Sequence, residues 1–155
     1  MKFQLFALVA AVFASPVEDV KSSAAPTTST YTSCSSTKSI FDLKNFVLTP
    51  NPIVKGKPQA VTVSGNLKTP IIAGSSATMD MKVLGKKIFG ITYNLCDIAA
   101  KKGISCPIPV GAFSLTVDAT IPRFVPGGKY DLHFLFSNGD QDKSEITCID
   151  VQTSL

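Results

Sequence analysis

The chain has 155 residues, 45% of them hydrophobic, and its 15 Lys and Arg against 11 Asp and Glu give a formal charge of +4. That excess is too small, and the lysines too scattered through turns and strand edges, for the dense basic face of a nucleic-acid binder. A single histidine, His133, and an even set of cysteines, Cys34, Cys96, Cys106 and Cys148, favour two disulfides over a metal site or free thiols.

Residues 1–14 read as a signal peptide. Lys2 precedes an apolar run from Leu5 to Ala14, and Val12-Phe13-Ala14 offers small residues where a signal peptidase cuts, so cleavage is expected after Ala14. The run is too short for a bilayer core of about 30 Å, which takes roughly 20 apolar residues, and no later segment is long enough. The mature chain, at +3 once Lys2 is taken from the +4 total, is expected to be soluble and to reach the exterior or a vacuolar or lysosome-like lumen. Residues 15–33 are rich in Ser, Thr, Ala and Pro around Ala25-Pro26-Thr27-Thr28-Ser29-Thr30 and hold too few large apolar side chains to pack. They read as a disordered leader, either a removed propeptide or an O-glycosylated spacer.

Residues 34–155 are long enough for one domain. Their apolar residues recur with period two in short runs separated by Gly, Pro and Asn, which predicts strands over 39–48, 60–67, 77–84, 87–95, 112–119, 129–137 and 145–152. Pro50-Asn51-Pro52, Lys55-Gly56-Lys57-Pro58, Val125-Pro126-Gly127-Gly128 and Asn138-Gly139-Asp140 mark turns. Val61 with Val63, Met79 with Met81 and Val83, Phe89 with Ile91 and Tyr93, Phe113 with Leu115 and Val117, and Leu132 with Phe134 and Phe136 each line one face of a strand. About seven short antiparallel strands at regular spacing predict an all-β, immunoglobulin-like sandwich of two sheets, with a barrel as the alternative. Four cysteines allow three pairings. The favoured one joins Cys34 to Cys148, the first strand to the last, and Cys96 to Cys106, closing the loop that leaves the fourth strand.

Catalytic and metal chemistry find little support. His133 lies on the strand face opposite Leu132 and Phe134 and shares a side with Asp131, which reads as a surface pair, and no Gly-x-Ser-x-Gly elbow supplies a nucleophile. Asp140, Asp142 and Glu145 crowd one loop, but glycine and glutamate sit at the wrong offsets for a calcium loop, so a polar hairpin is expected. There is no phosphate-cradling glycine loop and no zinc spacing. The chain is not expected to be an enzyme, and no cofactor or metal is implied.

Several motifs resemble one family: a cysteine ahead of Leu48-Thr49-Pro50-Asn51-Pro52, the Gly56-Lys57-Pro58 turn, the loop from Leu95-Cys96 to Cys106-Pro107-Ile108, the turn Val125-Pro126-Gly127-Gly128-Lys129-Tyr130, and Cys148 in the last strand. Together they are similar to the ML-domain lipid-recognition family, in particular its fungal phosphatidylglycerol/phosphatidylinositol transfer proteins, related to the Niemann-Pick C sterol carrier of the lysosome lumen. Many members have six cysteines, and Thr49-Pro50-Asn51-Pro52-Ile53 lacks the extra bridge. The resemblance implies a sandwich splayed at one end, with a phospholipid or sterol lying between the sheets.

On that reading the cavity lining comes from the inward-facing sets, Val61, Val63, Met81, Phe89, Ile91, Tyr93, Phe113, Leu115, Phe134 and Phe136, with Pro107 and Ile108 at the rim, and about half of them touch lipid as well as core. Lys86 and Lys87, beside the turn between the third and fourth strands, and Lys101 and Lys102, in the Cys96 loop, are the candidates for head-group or membrane contact. The implied partners are a lipid and, transiently, a membrane surface, with the protein itself a monomer. The rival reading is a secreted interaction module that uses the same sandwich with a filled core.

Overall fold

The structure, a computed structural model, describes residues 28–155. The signal peptide and most of the leader lie outside the described residues. Eight strands and one short helix follow in order: β1 (Thr30–Ser33), β2 (Phe41–Thr49), β3 (Pro58–Leu67), β4 (Ser76–Val83), β5 (Lys86–Asn94), α1 (Leu95–Lys101), β6 (Gly111–Thr120), β7 (Lys129–Ser137) and β8 (Glu145–Ser154). They form a sandwich of two antiparallel sheets, one of five strands in the order β1-β8-β7-β4-β5 and one of three in the order β2-β3-β6.

All seven expected strands are present, within two residues at each end. The structure adds two elements. Thr30–Ser33, placed in the disordered leader by composition, pairs with β8 from Thr30↔Gln152 to Ser33↔Ile149. Ser29 Oγ hydrogen-bonds Thr153 Oγ1 at 2.7 Å, and the Tyr31 ring packs on Phe46 with centroids 5.1 Å apart. A polar segment becomes a strand here because the exposed edge of β8 supplies every backbone partner it needs. The stretch read as a loop after Cys96 opens instead with α1. Asn94 caps it by accepting a bond from Asp97 N at 3.2 Å, and Leu95 and Ala99, four residues apart, are buried.

The interior divides into two clusters. Phe41, Leu67, Ile71, Leu95, Ala99, Ile108, Leu115 and Ile146 fill the end where α1 lies. Phe46, Ile53, Met81, Tyr130, Leu132, Ile149 and Val151 fill the opposite end, where the β4–β5 turn lies, and the Tyr130 hydroxyl there donates to Pro126 O at 2.7 Å. Each fully buried Leu or Ile contributes about 1.5–3 kcal/mol.

The α1 end is also pinned by one polar side chain. Asn138 is 2% exposed, and its Oδ1 accepts from Ile72 N, Gly139 N and Ser75 Oγ, each at 3.0 Å, while Nδ2 donates to Pro70 O at 3.1 Å. The loops before β4 and after β7 therefore share one satisfied amide. The acidic loop beside it is a hydrogen-bonded turn: Asp140 accepts from the hydroxyl and the backbone of Ser144, which hold its carboxyl below the ordinary carboxylate range. Glu145 turns away to accept from Ser36 N at 2.6 Å.

Both favoured disulfides are formed, Cys34–Cys148 across a separation of 114 residues and Cys96–Cys106 across 10. Loop-closure entropy assigns about 4.8 kcal/mol to the first and about 2.8 to the second. Replacing both members of a bridge by Ser should therefore cost about 2 kcal/mol more for Cys34–Cys148 than for Cys96–Cys106 in urea denaturation, and equal losses would contradict the entropic account. Asn138→Ala, which leaves several buried donors and acceptors without partners, should cost about 2–3 kcal/mol in the same assay.

Candidate functional site

The two sheets differ in width, and the site follows from that. Sheet β1-β8-β7-β4-β5 extends past the three-stranded sheet at β5, none of whose residues is buried: on its inward face Phe89 is 50% and Tyr93 48% exposed. Facing that overhang is the free edge of the other sheet, β6. Between them lies an elongated cavity, walled on one side by Val61 and Val63 of β3 and Phe113, Leu115, Val117 and Ala119 of β6. Opposite stand Ala77 and Met79 of β4, Tyr93 of β5, and Phe134 and Phe136 of β7, while Phe41, Ile71, Leu95, Ile98 and Ile146 close the α1 end. The empty space out to the open mouth is about 870 Å³, of which about 100 Å³ admits the centre of a water molecule. Thr78, Tyr93 and Thr147 are the lining residues that carry a hydroxyl, and that of Thr78 is bonded to Thr92 Oγ1 at 3.0 Å.

Small residues stand at both ends of the gap, Ala77 between Tyr93 and Phe136 toward α1, and Ala119 opposite Gln59 at the other end. Burial of these side chains against one another is incomplete, which in a soluble domain marks a site for an apolar occupant.

Of the twelve side chains expected to line a pocket, Val61, Val63, Tyr93, Phe113, Leu115, Phe134 and Phe136 line this one. The other five do not. Met81 is buried in the opposite cluster against residues such as Phe46 and Leu132, because the sheets meet fully there. Phe89 and Ile91 lie on the overhanging strand beyond the three-stranded sheet and contribute no wall. Ile108 is drawn into the core by a bridge to Ile71, and Pro107 beside it is exposed. Missed by strand alternation were the residues that shut the α1 end, such as Phe41 and Leu95. The spacing of Leu95, Ile98 and Ala99 behind Asn94 was the available signal for a helix there.

The candidate cations separate into two kinds. Lys87 Nζ is 2.7 Å from Asp80 Oδ1, and Lys102 Nζ is 2.9 Å from Asp118 Oδ2. Lys86 and Lys101 are exposed and form no ion pair among the described residues. His133 pairs with Asp150 rather than Asp131, with Nδ1 2.6 Å from Asp150 Oδ1, since a directly opposed residue on the next strand is closer than one two places along the same strand. Its ring nitrogens also stand 4.0 Å from the sulfurs of Cys34 and Cys148, which are joined to each other.

A family model described as the ML domain matches residues 28–155, the residues that the structure describes. The chain belongs to the ML-domain family. A phosphatidylglycerol/phosphatidylinositol transfer protein of Aspergillus oryzae is 32% identical to it over 110 residues, 71% of this chain and 62% of that protein, so the chain spans less than two thirds of that relative's length. Among solved structures, a Niemann-Pick type C2 protein from Japanese carpenter ant superposes with TM-score 0.62 at 14% identity, covering 79% of this chain and 96% of that one. Chicken MD-1, solved in complex with lipid IVa, superposes with TM-score 0.59 at 18% identity over 84% of this chain and 96% of its own. At such identities the two structures speak to the sandwich alone, and they agree with the sheets described above.

If the ML cavity is the binding site, filling it should close it. Ala77→Leu should lower uptake of an apolar fluorescent probe by about tenfold while keeping unfolding free energy within about 1.5 kcal/mol of wild type; undiminished uptake would place the site elsewhere.

Proposed function

We propose that the protein is a carrier that binds one lipid, a phospholipid of the phosphatidylglycerol/phosphatidylinositol class or a sterol, between its sheets and moves it between membranes without catalysing a reaction. The apolar, mouth-bearing cavity is the observation that carries this reading, and the name of the Aspergillus relative supports it. Each methylene left in water costs about 0.8 kcal/mol, so a sixteen-carbon chain needs shelter from roughly 10 kcal/mol or more of unfavourable hydration during transfer.

The cavity as it stands is a closed state. Its core of about 100 Å³ is well below the roughly 300–1,000 Å³ of ordinary ligand pockets. Loading therefore parts the edges of β5 and β6, where no backbone hydrogen bonds hold the two sheets together. The protein acts as a monomer, and its two disulfides suit the oxidising exterior or an acidic lumen.

Membrane contact falls to the end opposite α1. Leu84, at the β4–β5 turn, is 96% exposed, and Phe124, in the segment between β6 and β7, is 85% exposed. The exposed Lys57, Lys86, Arg123 and Lys129 occupy the same end and form no ion pair among the described residues. Apolar tips ringed by free cations suit an anionic bilayer surface.

Leu84 also sits at φ +49 ahead of Gly85 at φ +76, a left-handed turn in which Asn is at ease and Leu is strained by about 1–2 kcal/mol. Leu84→Asn should thus raise stability by roughly 1 kcal/mol yet weaken partitioning onto anionic vesicles by about tenfold. A variant that gains stability and binds vesicles as before would remove the tip from the docking surface. The carrier reading itself is tested by native mass spectrometry of protein secreted from a eukaryotic host: a stoichiometric lipid adduct is expected. A bare mass, together with failure to extract labelled phospholipid or sterol from vesicles, would replace it with an interaction module.

A further inference from the structure

We infer that Gln59 accepts a hydrogen bond from the hydroxyl of a neutral lipid held between the sheets, so that the site favours a guest with a hydroxyl directly on its apolar body, such as a sterol, over a phosphodiester. The inference rests on the carrier reading and names the ligand class within it.

Gln59 is the second residue of β3, and register sets the face on which it stands. It pairs with Ala119 as Val61 pairs with Val117 and Val63 with Leu115, with no shift between the two strands. Directly paired residues share a face of the sheet, and those five neighbours all line the cavity. Gln59 therefore belongs to the interior face, and it is 3% exposed. It is not a wall of the empty cavity but stands next to it, across from Ala119 at the end away from α1.

Half of its amide is satisfied. Nε2 donates to Pro50 O, just past the end of β2, and a carbonyl partner fixes which limb of the amide is the NH₂. Oε1, on the other limb, is buried and has no hydrogen-bond partner among the described residues. Buried acceptors are nearly always paired, and an unpaired one stands to gain more than usual from a donor that reaches it. Ala119, directly opposite on β6, ends at Cβ and brings nothing polar to it. A guest that extends the cavity past Ala119 meets this acceptor.

The other polar atoms near the cavity are placed differently. Thr78 Oγ1 is bonded to Thr92 Oγ1 at 3.0 Å, and Thr147 Oγ1 to Ser35 Oγ at 2.9 Å. Tyr93 is exposed at the mouth. Asp80 Oδ1 is also buried, but the Lys87 ammonium stands 2.7 Å from it, and Asp80 lies between the inward-facing Met79 and Met81 on the outer face of its sheet.

The interior is thus polarised along its length. Hydrocarbon such as Ile71, Leu95 and Ile98 closes the α1 end, and one unused acceptor waits at the other. A sterol matches this pattern, with a single hydroxyl donor at one tip of a hydrocarbon body. A phosphodiester does not: it has no proton to donate, and the lining holds no cation to offset burial of its charge.

The test uses cholestanol and the matching ketone cholestanone, which differ little in shape while only the first has a proton to give, each extracted from phosphatidylcholine vesicles by the full chain. Wild type should bind cholestanol about tenfold more tightly than cholestanone. Gln59→Met, which keeps the length of the side chain but not the acceptor, should bring the two within about twofold, and thermal unfolding checks that it folds. The wild-type comparison does not depend on the variant: equal binding of alcohol and ketone would overturn the role of Gln59 and leave the carrier reading standing. A preference that survives in folded Gln59→Met would also overturn it, since the hydroxyl would then be read elsewhere. Extraction of phosphatidylglycerol but of neither steroid would overturn the ligand class alone. A wild type that extracts none of the three would overturn the carrier reading itself.

Discussion

Two sheets of unequal width share one apolar interior, and most of what is distinctive in this domain depends on that mismatch. Where β8, β7 and β4 lie over β2 and β3, side chains such as Phe46, Leu132 and Ile149 interdigitate and exclude solvent. Where β5 overhangs β6, no strand is available to complete the interior, so Phe89 and Tyr93 stay half exposed and the space before Tyr93 stays open. A packed interior is dense and yields little, so the strain of admitting a guest is confined to the free edges.

Such an opening must not unravel the ends. At the α1 end, Cys96–Cys106 ties the helix to the strand-like segment around Ile108, and the Asn138 amide holds the flanking loops to one another. Cys34–Cys148 fastens the start of the domain to the central part of β8, and β1 runs beside the same strand. The disulfides and the buried Asn138 amide therefore lie outside strands β5 and β6.

Charge is distributed by the same logic. Ionic side chains are kept off the cavity wall, since desolvating them would outweigh any contact with an apolar guest. Lys87 and His133 are occupied by Asp80 and Asp150 on the outer face of the five-stranded sheet. Lys57, Lys86, Arg123 and Lys129, which form no ion pair among the described residues, stand at the same end as Leu84 and Phe124.

The period-two runs were enough to locate seven strands, because alternation between a buried and a solvated face is written directly in residues such as Phe113, Leu115 and Val117. The cysteine pairing could be favoured for a similar reason: the ends of the domain and of one loop are neighbours in any sandwich of this order. Tyr31 in a Ser/Thr-rich stretch gave no periodic signal, and β1 forms only because β8 presents an unpaired edge. Alternation likewise could not separate Tyr93, which lines the cavity, from Phe89, Ile91 or Met81, which face the same way and do not. Which strand faces another across the interior depends on sheet order and relative width, and these arise from contacts between residues far apart in the chain. The sequence by itself determined the strands, their inward faces and the two staples; only the tertiary structure decided where those faces fail to meet, because a cavity is a property of opposed surfaces and not of either one alone.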